Sequence, residues 1–210
     1  MTRDEILTNV RLNLDDAGVT YYQDSDIQTS IQDAYNDVAV FTGCIQEQAS
    51  IDLVNNLTYY DMPSLISDFF TVVAIRNNTT NRWMDADSLK GFDNIRWDWE
   101  LWEGQPLFYA PVNFRYIAVI PRMVTASGSL EIWYRATADI LEGDSIPQIH
   151  AQEITLLEWY ATGDLLDQAQ EYLKADTWWD QYFLGVVAYK VRVGKLAKSD
   201  YIPVLESSAV

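Results

Sequence analysis

Apolar residues recur every three or four positions along the N-terminal part of the chain, which predicts two amphipathic helices. Thr2 followed by Glu5 has the pattern of a capping box at the start of the first helix, and Gly18 is expected to end that helix. Gly43 is expected to end the second helix. Residues 1–43 are therefore predicted to form a helical hairpin.

The period of the apolar pattern changes to two from Gln48 onwards, which is typical of β-strands. The Asn55-Asn56 pair tolerates positive φ angles, so a tight β-hairpin is predicted around it. The apolar run at 69–75 fits either a strand or a helix. Between residues 104 and 136, β-branched and aromatic residues separated by prolines predict short antiparallel strands. We expect residues 48–140 to form an antiparallel β region.

Helical spacing returns after Pro147. Two helices are predicted over 147–194, the second with a wide aromatic stripe and an end at Gly194, followed by an extended tail over 195–210. Helices, then consecutive strands, then helices, without βαβ alternation, predict an α+β fold. We expect a helical bundle formed by the N- and C-terminal helices, with a central antiparallel β-sheet or a small β-barrel inserted between them.

The length and composition limit how large a core the chain can bury and give it a strongly negative net charge. With 210 residues, 49% of them hydrophobic, the chain can bury one core, so a single domain over residues 1–210 is expected. Its 31 acidic and 14 basic residues give a formal net charge of −17. This charge argues against a nucleic-acid-binding surface, because phosphate contacts need clustered Lys and Arg. The acidic surface is either simply solvated or a surface past which DNA moves without sticking.

Residue types on which many enzymes depend are scarce. Cys44 and His150 are the only residues of their types, which excludes an intrachain disulfide, a cysteine-based zinc site and any mechanism that needs two histidines. We expect His150 to be a surface or capping residue. No glycine-rich phosphate-binding motif is present. The sequence therefore predicts a protein that is not an enzyme and has no cofactor or metal.

Membrane attachment is not expected either. The N-terminus has acidic residues where a signal peptide would have a basic region and a long apolar run, and no segment approaches the length of a membrane span.

The segment from Trp97 to Trp102 alternates indole rings with carboxylates. If the segment is a strand, Trp97 and Trp99 share one face while Asp98 and Glu100 share the other, giving an aromatic core face and a solvated acidic edge. The alternative is a carbohydrate-binding or carbohydrate-active protein, in which these rings hold a sugar and the carboxylates act on it.

Turn and helix-boundary motifs follow one another in a distinctive order: YQDSDI at 22–27, YDMP at 60–63, GQPLFY at 104–109, and the Ile-Pro pairs at 120–121 and 146–147. This order resembles the adaptor, or head-to-tail connector, proteins of tailed bacteriophages, most closely those of short-tailed phages. The resemblance implies a structural virion protein that is assembled in the host cytoplasm and located in the neck at the portal vertex. It implies a homo-oligomeric ring of twelve subunits that joins the portal protein to a tail or nozzle protein. DNA would pass through the lumen of the ring without specific binding.

The chain has 8 Trp and 13 Tyr, more than one small core needs, and such residues anchor protein–protein interfaces. We expect some of them to face a neighbouring subunit. An apolar segment after the last helix is also expected either to bind a partner or to fold back over the subunit's own core. The candidate interface residues are Trp178, Trp179, Tyr182, Tyr201, Ile202, Val204 and Leu205.

Overall fold

The computed structural model describes residues 1–16, 18, 21–125 and 128–200, with side chains described up to residue 195. The chain divides into two compact units. The helical unit is formed by Met1–Ile45 together with Ala138–Val210, and the β unit is formed by Gln46–Thr137. In sequence, the β unit is therefore an insertion between the two segments of the helical unit.

Within the described residues the chain forms six α-helices and eight β-strands, which confirms the predicted α+β class. The helices are α1 (Arg3–Asn13), α2 (Asp24–Thr42), α3 (Met62–Leu65), α4 (Leu89–Ile95), α5 (Thr155–Gln168) and α6 (Tyr172–Asp200). The strands are β1 (Gln46–Asp52), β2 (Tyr59–Asp61), β3 (Phe69–Asn77), β4 (Arg82–Trp83), β5 (Asp85–Ala86), β6 (Phe108–Val112), β7 (Tyr116–Ile120) and β8 (Ser129–Ala136).

The capping box predicted for α1 is confirmed. The Glu5 N–H donates to Thr2 Oγ1 at 3.3 Å, and the Thr2 N–H donates to the Glu5 carboxylate at 2.9 Å. The predicted end at Gly18 is wrong, because α1 ends at Asn13. Asp15 takes the left-handed conformation, with a φ of 54°, and so turns the chain one residue after the helix cap.

Gly43 ends α2 in the left-handed conformation, with a φ of 64°, as predicted. The start of α2 is tied to α1 by the buried guanidinium group of Arg11. This group pairs with the Asp16 carboxylate at 3.2 Å and also with the Asp24 carboxylate. The two helices are therefore joined by ionic contacts as well as by apolar packing.

The core of the helical unit lies where α2, α5 and α6 pack together. This arrangement confirms the predicted bundle of N- and C-terminal helices. Its buried side chains include Ile27, Ile31, Tyr35 and Val38 of α2, Leu157 and Leu165 of α5, and Ala175, Tyr182, Val186 and Tyr189 of α6. Among the described residues, none of the helices has the length and hydropathy needed to span a membrane.

The predicted end of the last helix at Gly194 is wrong, because α6 continues to Asp200. A glycine ends a helix when it takes the left-handed conformation, and Gly194 does not have a positive φ angle. Residues 195–200, predicted to be extended, are therefore helical. The rest of the predicted tail, residues 201–210, lies outside the described residues.

The β unit contains two four-stranded sheets, with strand orders β1-β8-β3-β4 and β2-β7-β6-β5. The first sheet is antiparallel throughout, whereas the second includes a parallel pair formed by β5 and β6. Neither sheet closes into a barrel within the described residues. Of the two alternatives expected for the insertion, the structure therefore has open sheets.

The tight hairpin predicted around Asn55-Asn56 is wrong, because β1 and β2 belong to different sheets. Asn56 does have a positive φ angle, of 56°, but its N–H donates to the Met123 carbonyl at 2.7 Å. The Val54 N–H donates to the Tyr60 hydroxyl at 3.0 Å. These bonds guide the chain from the first sheet into the second, so β1 and β2 do not pair with each other.

The apolar run at 69–75 is part of β3, so the strand alternative is confirmed there. The predicted strands between residues 104 and 136 are confirmed as β6, β7 and β8. Every second residue of β8 is buried, namely Leu130, Ile132, Tyr134 and Ala136. The two-residue period therefore places one face of the first sheet in the core.

Candidate interaction surfaces

Helix α6 positions the three predicted interface aromatics that lie within the described residues. Tyr182 is on its inward face and is only 1% exposed, while Trp178 and Trp179 are half-buried at the edges of that face. Because a helix turns once in 3.6 residues, the consecutive tryptophans point to different sides of α6. The structure thus brings Trp179 and Tyr182 into one cluster and leaves Trp178 outside it.

The cluster is an aromatic layer between α5 and α6. The Tyr160 ring lies edge-to-face against the Trp179 ring at 5.0 Å and against the Tyr182 ring at 5.2 Å. Phe183 extends the layer outward by stacking on Trp179 at 5.9 Å. Trp179 Nε1 donates to an Asp167 carboxylate oxygen at 2.7 Å, which fixes the indole orientation. These contacts connect the buried ring of Tyr182 to the exposed edge of the layer at Phe183.

Tyr182 also has a polar role in this layer. Its hydroxyl donates to the Asp37 carboxylate of α2. Burial raises the pKa of Tyr182, and the hydrogen bond to Asp37 raises it further. Tyr182 therefore stays protonated and links α6 to α2 inside the bundle.

A shallow groove of about 480 Å³ lies along the exposed edge of the layer. Trp179 and Phe183 supply its rings, and Asp176 and Asp180 supply two exposed carboxylates one helical turn apart. Exposed rings flanked by carboxylates form a surface that suits apolar or cationic side chains of another protein.

Trp178 lines a different groove, of about 270 Å³, between the end of α1 and the start of α6. The tyrosine pair Tyr21 and Tyr22 faces it, and the ion pair between Glu171 and Lys174 borders it. The two tryptophans of α6 thus serve two separate surfaces. The other four candidate interface residues lie outside the described residues, namely Tyr201, Ile202, Val204 and Leu205.

The Trp97 to Trp102 segment is not a strand. The prediction that Trp97 and Trp99 share one face of a strand, with Asp98 and Glu100 on the other, is therefore wrong. Residues Trp99–Leu101 form one turn of 3-10 helix, and the Trp102 N–H donates to the Trp99 carbonyl at 3.1 Å. Trp97 is 88% exposed, whereas Trp99 is buried with Phe92 and Ile120. Trp97 lies in the turn before this helix, so the two rings do not share a face as they would on a strand.

Asp98 and Glu100 are both held by neighbouring groups of the β unit. An Arg96 guanidinium nitrogen donates to Asp98 Oδ2 at 2.9 Å, and this hydrogen bond lowers the pKa of Asp98. The Tyr59 hydroxyl donates to Glu100 Oε1 at 2.6 Å. Burial raises the pKa of Tyr59 to about 12, with the Glu100 hydrogen bond as the second cause. The two carboxylates thus contact different partners of the β unit.

His150 has the expected capping role. It precedes the 3-10 turn Ala151–Glu153, and its exposed ring accepts a hydrogen bond at Nδ1 from the Gln152 N–H at 3.3 Å. The described residues contain no group of three or more His, Cys, Asp or Glu side chains arranged to hold a metal ion.

Sequence reasoning missed a second apolar stripe on α6, on the face turned away from the bundle. Leu184, Val187 and Val191 are all exposed there. A signal for this stripe was present, because the three residues follow the three- and four-residue spacing of a helix face. The stripe was hidden by the stronger aromatic stripe on the opposite side of the same helix.

Comparison with known families gives a match that spans both units. The model of the family described as SU10 adaptor protein matches residues 1–193. A search of the curated proteins found no match to the chain.

Proposed function

Because the chain belongs to the SU10 adaptor protein family, we propose that it is the subunit that joins the portal to the tail in a short-tailed phage. The observation that carries this proposal is the family match over residues 1–193, which includes the β unit and most of both segments of the helical unit. The whole chain acts as one adaptor subunit. It assembles in the host cytoplasm and ends in the virion neck at the portal vertex, as a structural protein rather than an enzyme.

As the resemblance to the adaptor proteins implies, we propose that copies of the subunit form a ring of twelve. A closed ring requires a heterologous interface, in which two different faces of each subunit meet. Two distinct aromatic surfaces of the helical unit support this arrangement. One is the groove around Trp178, and the other is the exposed edge formed by Trp179 and Phe183.

The predicted interface residues take different parts. Trp178 and Trp179 contact the neighbouring subunit directly, while Tyr182 supports Trp179 from inside the bundle, where their rings lie 6.0 Å apart. The apolar side chains after α6 bind the portal protein or the adjacent subunit. These are Tyr201, Ile202, Val204 and Leu205.

DNA passes through the lumen of the ring without specific binding. The net charge of −17 supports this part of the proposal, since a lumen that bound phosphates would slow the movement of DNA. Contact with the tail or nozzle protein is made on the side of the ring that faces away from the portal.

Native mass spectrometry of the purified chain, alone and mixed with the portal protein of the same phage, tests the proposal. We expect cyclic oligomers, either from the chain at high concentration or on the portal ring. The chain would not be an adaptor subunit if it stayed monomeric at every concentration and also failed to bind the portal.

Two variants make the experiment specific for the proposed interface. Trp178→Ala is expected to reduce ring formation, because a half-buried aromatic residue in a groove is a typical anchor of an interface. Trp97→Ala is the matched control, since it removes an exposed tryptophan of the β unit. Equal loss of rings in both variants would contradict the assignment of the interface to α6.

A further inference from the structure

The outward face of α6 has the properties of a helix–helix contact without a partner. Leu184 is 76% exposed, Val187 is 52% exposed and Val191 is 51% exposed. The inward face of the same helix is buried in the bundle through Tyr182 and Val186. A helix that is apolar on both sides normally has a second element packed on each side. The outward stripe therefore indicates a missing occupant.

The charges along α6 limit what that occupant can be. Asp176 and Asp180 lie exposed on the N-terminal side of the stripe, whereas the exposed Lys195 lies towards its C-terminal end, with Lys190 and Arg192 on the flanks of the helix. No acidic residue occurs between positions 181 and 199, although the chain has 31 acidic residues among 210. The face thus has a negative end, an apolar middle and a positive end.

Such a face is complementary to a second copy of itself in the antiparallel direction. An antiparallel pair places the negatively charged end of each face beside the positively charged end of the other. It also aligns the two helix dipoles antiparallel, which is favourable. A parallel pair in register would place like charges together. The apolar residues in the middle of the face supply the packing contact, and the charges at its two ends determine that the helices pack antiparallel.

We propose that two copies of the free chain form a symmetric dimer by antiparallel packing of the outward faces of α6. In the register that centres the apolar stripe, Leu184 lies level with Val191 of the second copy. The same register brings Asp180 level with Lys195 of the second copy. A two-fold pair uses the same patch on both subunits, unlike the heterologous contact of a ring. This dimer is a state of the free chain and does not depend on the proposed function.

Two of the basic residues also have contacts within their own subunit. The Lys190 ammonium lies 4.0 Å from the centre of the Phe41 ring, and Arg192 pairs with Glu153. Both side chains nevertheless remain exposed at the positive end of the stripe. These contacts turn both side chains towards their own subunit, so Lys195 supplies the positive charge of the outward face itself.

Sedimentation equilibrium of the full chain tests the dimer. We expect a concentration-dependent equilibrium between monomer and dimer, weakened at least about tenfold by Val187→Asp, because a charge in the apolar middle of the pair would be buried without a partner. Leu184→Asp is a second variant with the same expected effect. Ile140→Asp is the matched control, since Ile140 is an exposed apolar residue of the same unit outside α6. Circular dichroism and Tm establish that each variant is folded.

Oxidative crosslinking tests the direction of packing. In a Cys44→Ser background, a mixture of Leu184→Cys chains and Val191→Cys chains should form a covalent dimer, while each variant alone should not. The proposal is overturned if each variant crosslinks only with itself, if the native chain is monomeric at all concentrations, or if it forms larger oligomers without a dimer.

Discussion

Glu158 of α5 is an ionisable residue inside the helical unit. Its side chain is 8% exposed, and Oε1 accepts a hydrogen bond from the Asn9 amide at 2.7 Å. Burial raises the pKa of Glu158, and the Asn9 hydrogen bond offsets part of that rise. The folded protein therefore binds this proton more tightly than the unfolded chain does. The stability that the group contributes is present below its unfolded pKa and is lost as the pH rises through its folded pKa.

We predict that Glu158→Gln becomes more stable relative to the native protein as the pH is raised from about 4 to about 7, because glutamine cannot ionise. The measurement is the difference in Tm between variant and native protein at each pH. Any constant penalty of the amide group cancels in the pH dependence of that difference. The exposed Glu142→Gln is the control and should keep a nearly constant difference. A pH-independent difference for Glu158→Gln would contradict the effect of burial.

Helix α6 contains two glycines whose surroundings differ sharply. A Cβ added at Gly185 would lie 2.5 Å from Leu156 Cδ2 and 3.0 Å from the Trp159 ring, whereas one added at Gly194 would meet nothing within 4 Å. Leu156 is buried and cannot move aside freely. The first glycine permits the close packing of α6 on α5, and the second only weakens the helix.

We predict that Gly194→Ala raises the free energy of unfolding by about 0.5–1 kcal/mol, because alanine favours a helix interior. Gly185→Ala should lower it by about 1–3 kcal/mol through overpacking. Chemical denaturation of the two variants gives both values under the same conditions. Destabilisation by Gly194→Ala would mean that Gly194 ends the helix in the left-handed conformation, against the structure.

Elements defined by neighbouring residues could be predicted from the sequence. The capping box of Thr2 and the glycine that ends α2 each depend on a few adjacent positions, and both were found correctly. The hairpin at Asn55-Asn56 failed because its outcome depends on distant strands. In the structure Ile51 pairs with Leu130 of β8, far along the chain, and a local turn signal cannot reveal such a partner.

The candidate surfaces were predictable only in part, for a similar reason. The aromatic stripe of α6 identifies the helix that carries Trp178 and Trp179, but periodicity does not show which groove each ring lines. Trp97 and Trp99 illustrate the same limit, because Trp97 lies exposed before the 3-10 turn whereas Trp99, the first residue of that turn, is buried. Which side of a helix or turn meets the core is decided by tertiary packing.

For the whole molecule, we predict that removing residues 198–210 leaves the Tm of the isolated subunit nearly unchanged while weakening ring formation or portal binding. The physical reason is that the buried positions of α6 among the described residues end at Tyr189, before the deletion begins. Thermal unfolding and native mass spectrometry with the portal protein measure the two effects.

A full-length variant separates side chains from chain length. Replacing Tyr201, Ile202, Val204 and Leu205 by serine should reproduce the weaker assembly of the deletion. A much lower Tm of the truncated subunit, with unchanged portal binding per folded molecule, would place the tail in the subunit's own core instead.

The placement of the β unit within the sequence has a consequence for the order of folding. The β unit is one uninterrupted segment, whereas the helical unit needs chain from both sides of it. During synthesis, α1 and α2 leave the ribosome first, and α5 and α6, against which α2 packs, leave last. The apolar face of α2 therefore stays uncovered by α5 and α6 until the whole β unit has been synthesised. Exposed apolar surface favours aggregation during this period.

The register of the first sheet shortens this wait. Gln46, at the start of the β unit, is paired with Arg135 near its end. Once β1 and β8 pair, the two ends of the β unit are held together. The chain that continues to α5 then leaves the β unit next to the point where the chain from α2 enters it. The entropic cost of closing the long loop between α2 and α5 is then already met by strand pairing within the β unit. Pairing of β1 with β8 thus brings together the two points at which the helical segments join the β unit, before α5 and α6 have been synthesised.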